Sequence, residues 1–137
     1  MNAPDPPIPD ATLNAWNREL YWWWDLYNWQ YLREALRRPV ICLAETHTRL
    51  GSWDPARRTI AIARNHIARD SWSAVMETLR HEMAHQYADE VLRASDERPH
   101  AAAFREACAR LRVQHQPAPD APPPGDADRG VRGTILK

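Results

Sequence analysis

Apolar positions along this chain recur with two different periods. Between residues 11 and 38, Leu13, Trp16, Leu20, Trp23, Tyr27 and Tyr31 are spaced by threes and fours, the period of an amphipathic helix. Pro39 supplies its stop. The pattern then changes. "VICLAETH" (40–47) and "RTIAIA" (58–63) are β-rich runs joined by "TRLGSWDPAR", whose glycine and Asp-Pro mark a turn. The two runs predict an antiparallel hairpin, with "LGSW" available as a short third strand. From 70 to 94 the helical step returns at Trp72, Val75, Met76, Leu79, Met83, Tyr87 and Val91, with Asp70 or Ser71 as the cap. In "HAAAFREACARLRV", Phe104, Cys108 and Leu111 share one face of a last helix. The order predicts an α+β domain: an N-terminal helix, a small antiparallel β-sheet, a histidine-bearing helix and a C-terminal helix.

Proline marks where that domain stops. Of the twelve prolines, four precede Ala11 and five crowd into "QPAPDAPPPGD", leaving Pro39, Pro55 and Pro99 between. Residues 1–10 therefore read as a flexible arm, 11–115 as the folded domain and 116–137 as a Pro-rich flexible tail. The closing "VRGTILK" turns apolar again, as the opening of a further element would. At 137 residues there is room for one modest core.

Charge removes some options. Eighteen basic residues balance eighteen acidic ones, so bulk charge draws the chain neither to nucleic acid nor to an anionic membrane. No run is long and apolar enough for a membrane span, and "MNAPDPPIPD" lacks the basic start and apolar run of a secretory signal. Cys42 and Cys108 stand far apart, as buried reduced thiols do. A cytoplasmic location is the expectation.

The chemistry gathers in "LRHEMAHQY" (79–87). Residues four apart on a helix are offset by about 40° and a rise of about 6 Å, so His81 and His85 reach out from one face toward one ion. Glu82 lies about 100° around from His81, beside such an ion without ligating it. This is the HExxH arrangement of two imidazole ligands and a general base. Zinc with a catalytic role takes a third protein ligand and keeps one position open. The downstream candidates are Asp89, Glu90, Asp96, Glu97, His100 and His115. Asp89, one turn further along the helix, is better placed to orient His85 through a hydrogen bond than to close a tetrahedron.

"HEMAHQYADEVLRASDERPHAAAF" resembles the SprT-like zinc metallopeptidases, the family that includes the Spartan-type DNA–protein crosslink proteases. The similarity runs over roughly residues 11–115, because an aromatic-bearing helix and a small antiparallel sheet also precede the motif in that family. The resemblance implies a minimal zincin-like domain. It puts His81, His85 and His100 on Zn2+, Glu82 as base toward the water that zinc acidifies, and Phe104 in a packing position. It implies an endopeptidase acting on protein or peptide substrates, DNA-associated proteins among them, with the substrate strand near the sheet edge at "LGSWDPARRTIAIA". Ala101 and Ala102 follow His100 where the family often has glycine. His47, His66, Tyr87 and His115 are the candidates for a further donor to the oxyanion.

The first helix leaves a choice open. "ELYWWWDLYNWQY" holds four of the seven tryptophans. Trp22, Leu26 and Trp29 form a second stripe roughly 130° from the main one. The expectation is burial on both sides, against the sheet and the histidine helix; the alternative leaves Trp22 and Trp29 exposed as a platform for a base, a peptide or a partner. Arg33, Arg37 and Arg38 adjoin them, which DNA contact would use and a solvated helix end equally explains. Arg57 and Arg58 sit in the turn and admit the same two readings. The other class of function is a non-catalytic module, in which zinc is structural and the groove binds a peptide or DNA. Glu82 separates the two, since a structural site gains nothing from an unligated carboxylate.

Overall fold

Helix α1 spans Asp10–Leu32, and it stops for a reason that lies within its own last turn. Arg33 and Glu34 adopt left-handed backbone (φ 52 and 60), and both of their N–H groups return to the Asn28 carbonyl. The Asn28 side chain then grips the returning main chain, its Nδ2 donating to the Leu36 carbonyl (2.9 Å) and its Oδ1 accepting from the Leu36 N–H (3.1 Å). The helix therefore ends well before Pro39, where the sequence had placed its stop. The computed structural model describes residues 6–93, 100–114 and 135–136.

Three strands follow: β1 (Val40–Ala44), β2 (Arg49–Asp54) and β3 (Thr59–Ala63). The antiparallel hairpin is formed by β2 and β3, with Trp53 opposite Ile60. Its turn is fixed by Asp54 Oδ1, which accepts from the Ala56 and Arg57 N–H groups (3.0 and 3.2 Å). β1 pairs with β3 in parallel, Val40 opposite Thr59 through Ala44 opposite Ala63. This corrects the expected hairpin between the first and last runs, and with it the expected antiparallel sheet: the sheet is mixed, in the order β1-β3-β2-β4. Residues 45–48 span two strand spacings, about 10 Å, which leaves β3 room to enter between β1 and β2. Alternation of side chains is the same for parallel and antiparallel neighbours, so the period carried no information on direction.

β3 runs directly into α2 (Arg64–Arg69), a helix too short for a periodic signature, and one the sequence did not suggest. Helix α3 (Trp72–Tyr87) is capped by Ser71, whose hydroxyl accepts from the Ala74 N–H (3.1 Å). It widens into a π-helical turn at Ala88–Leu92. Helix α4 spans His100–Leu111. The closing apolar run supplies β4 (Ile135–Leu136), antiparallel on β2 in the same sheet.

α3 is the hub, packed on β2 and β3 and flanked by α1 and α4. Leu20, Trp24 and Tyr27 from α1 meet Trp53, Ile60 and Ile62 from the sheet, Val75, Leu79 and Met83 from α3, and Ala107 and Leu111 from α4. The sheet comes so close to α3 at Gly51 that a Cβ there would lie 2.9 Å from Thr78 Cγ2. Because neighbours surround α3, its polar positions Thr78, Glu82 and Gln86 are buried with the apolar ones. α1 is covered on one stripe alone: Trp22 and Trp29 remain 58% and 64% exposed, against the expectation of burial on both sides. Cys42 is half-buried and Cys108 buried, both as free thiols. Burial pushes the Cys108 thiol up to about 12. Among the described residues no helix is long and apolar enough to cross a membrane.

Candidate metal centre

The position and rotation of α3 are set by polar contacts along its length. Near its start, Thr78 Oγ1 meets Nε2 of the buried His66 (2.8 Å), whose Nδ1 meets Asp70 Oδ2 (2.6 Å). In the middle, Arg80 donates to the Tyr27 hydroxyl (3.1 Å) and lies over that ring. Gln86 accepts from the Trp24 indole (3.3 Å) and donates to the Arg37 carbonyl (3.1 Å) and to Glu90 (2.8 Å). Arg58 Nη2 completes the set with an ion pair to Glu90 (2.8 Å) and a hydrogen bond to the Arg37 carbonyl (3.2 Å). Burial raises the Glu90 carboxyl, and the hydrogen bonds from Arg58 and Gln86 outweigh it, holding the group below its ordinary value.

Within this frame His81, Glu82 and His85 converge. One ligand atom from each lies within 4.8 Å of the others, the only such group of three among the described residues. The imidazole centroids are 5.1 Å apart. Phe104, from α4, stacks on the His85 ring at 3.9 Å and meets His81 edge-on at 5.1 Å, so an aromatic wall restrains both rings.

Glu82 is 0% exposed, and neither of its carboxylate oxygens has a hydrogen-bond partner among the described residues. Burial raises its carboxyl well above the usual carboxylate range. A carboxylate buried without partners is costly unless something brings positive charge or a donor to it. Two imidazoles with a carboxylate beside them form a nitrogen- and oxygen-donor set that suits a divalent first-row ion, zinc foremost. The residues present thus fit a metal.

The other expected positions fall as follows. His100 is the first residue of α4, and its side chain lies outside the described part. Its helix nevertheless brings Phe104, one turn on, against both imidazoles, which sets the first turn of α4 beside the motif. Asp89 falls in the π-helical turn and accepts from the Trp53 indole (2.9 Å). Among the donor candidates, His66 is engaged by Asp70 and Thr78, His47 lies on the surface beside Asn65, and Tyr87 is buried with Arg110 over its ring. Asp96, Glu97 and His115 lie outside the described residues. The Arg58–Glu90–Gln86–Trp24 network has no signature in the sequence, because its members come from three distant segments. Arg38, expected as DNA contact or solvated end, pairs with Asp25 and lies over the Tyr21 ring.

Comparison with known proteins gives one match: the model of the SprT-like family aligns with residues 21–123. No curated protein matches, and no solved structure does.

Proposed function

The chain belongs to the SprT-like family, a zinc metallopeptidase-like family, and from that membership we propose that it is a zinc-dependent endopeptidase. His81 and His85 hold the ion, with His100 as the third ligand and Glu82 as the general base. The observation that carries this reading is the buried Glu82 carboxylate, without a hydrogen-bond partner among the described residues and within reach of two imidazoles. A purely structural metal site has no use for such a group, so the non-catalytic module is the weaker reading.

When bound, zinc supplies a positive charge that acidifies water and polarises a peptide carbonyl. The chain's residues do the rest. Glu82 takes the proton from the attacking water and passes it to the departing amine. Its apolar surroundings raise its proton affinity, and an adjacent cation lowers it; the opposition brings a carboxylate toward the working pH. Phe104, stacked on His85 and edge-on to His81, limits rotation of the imidazoles. Substrates are extended protein segments.

Glu82→Gln should retain zinc and fold while peptide hydrolysis drops by at least about a hundredfold. His81→Ala should lose the metal itself, read by atomic absorption. A Glu82→Gln protein that cleaves as fast as wild type ends the assignment.

A second element of the reading concerns recruitment. The exposed rings of Trp22 and Trp29, two helical turns apart, favour a stacking platform that brings DNA-associated proteins to the site. Trp22→Ala with Trp29→Ala should weaken binding of a single-stranded oligonucleotide about tenfold or more. Unchanged affinity across a salt titration would remove DNA from the proposal and leave the peptidase in place.

A further inference from the structure

The two outer edges of the sheet are closed in different ways. On β1, the Ile41 main chain is held by α1: Asn17 Nδ2 donates to the Ile41 carbonyl, and the Ile41 N–H donates to the Tyr21 hydroxyl, both at 2.8 Å. On β2, the edge carries β4. Leu136 pairs with Arg49 and Ile135 with Gly51, with a register irregularity between them. That pairing covers one end of a six-residue strand, and no strand among the described residues pairs with Ser52–Asp54 on this side.

β2 is also the strand that follows the histidine helix. Gly51 abuts Thr78, a turn before the HExxH segment, and Trp53 reaches Asp89, a turn beyond it. Thr78, Glu82 and His85 fall within roughly 60° of one another around α3. The strand therefore lies along the stretch of helix that carries the metal-binding group.

The family resemblance lays an extended substrate near this sheet edge, and we propose that Ile135–Leu136 hold that place on β2 in the substrate-free chain, so that the two compete. The word substrate rests on the peptidase reading; the competition itself does not. Main-chain pairing recognises an extended backbone with little regard to sequence, and a segment of the same chain can occupy such an edge as readily as a separate one. A pairing of two residues with an irregularity is short enough to be displaced by a longer strand. Beside it lies a cavity of about 270 Å³ lined by Ala44, Thr48, Arg49, Gly51, Ser52 and Ala61 among others. A docked strand sends alternate side chains to each face of the sheet, and this hollow, with small walls and one guanidinium, suits a short aliphatic or acidic one.

The test uses the full chain carrying Glu82→Gln, so that no probe is consumed, and a fluorescein-labelled hexapeptide RGTILK, the sequence of residues 132–137. Adding Ile135→Pro and Leu136→Pro removes both amide donors of the resident strand. Fluorescence anisotropy should show the peptide binding about tenfold tighter to the proline variant. Hydrogen exchange at Arg49–Gly51 should quicken in that variant and slow again when peptide is added. Ile135→Gly with Leu136→Gly gives a second variant expected to fall between the two. Equal affinity in all three proteins, with native circular dichroism, overturns the competition. An inactive wild-type enzyme would instead sink the peptidase reading and leave these binding results standing.

Discussion

The carboxylate of Glu82 sits where no described side chain or main-chain group donates to it, and an unmet buried polar group costs on the order of 1–3 kcal/mol. Because burial raises its carboxyl, ionisation at neutral pH favours the unfolded chain, and the metal-free protein should gain stability when the ionisable group is replaced. Glu82→Gln is expected to raise the melting temperature in the presence of a chelator, and a lower value would mean that the group is satisfied in solution. With Glu82 as the proposed base, the substitution would trade chemistry for stability, as is common at catalytic positions. At this scale the sequence was most informative where geometry is local. His81, Glu82 and His85 needed only helical spacing to be read as a unit. Asp89 could be numbered as one turn beyond His85, but its indole partner, Trp53, lies 36 positions away in sequence and could not be foreseen.

Elements were legible by period and poorly legible by boundary and direction. The four main helical and strand blocks are all present, and α3 takes its cap from Ser71 as its polarity suggested. The end of α1 was misplaced because the signal is a side chain acting as surrogate backbone. Asn28 makes two hydrogen bonds to Leu36, and Asn28→Ala should cost about 1–3 kcal/mol, since both buried partners would then be unmet. Urea unfolding would measure it; a change within a few tenths of a kcal/mol would show that water replaces the amide. The parallel pairing of β1 with β3 was hidden for another reason. It depends on where residues 45–48 carry the chain, and no periodicity records that.

For the molecule as a whole, α3 is held by contacts from every other layer, and one of these is pH-dependent. Glu90 has a folded-state value below its ordinary one, so its pairing with Arg58 stabilises the protein fully above pH about 4.5. That contribution fades as the pH falls through the lowered folded value, where the native state too takes up the proton. Wild type should lose melting temperature below pH 4.5 more steeply than Glu90→Gln, and parallel profiles would show that the pair contributes nothing. The family match and the cluster of two half-buried imidazoles, His81 and His85, around the buried Glu82 agree on what this frame supports.

The clasp of Asn17 and Tyr21 on Ile41 has a further effect, on how copies of the chain behave when crowded together. A bare strand margin templates the lateral growth of amyloid, each molecule extending the ladder of the last. With its Ile41 amide and carbonyl already spoken for, β1 offers an incoming copy no foothold at that residue, the first outward-facing pair of main-chain groups a templated strand would need.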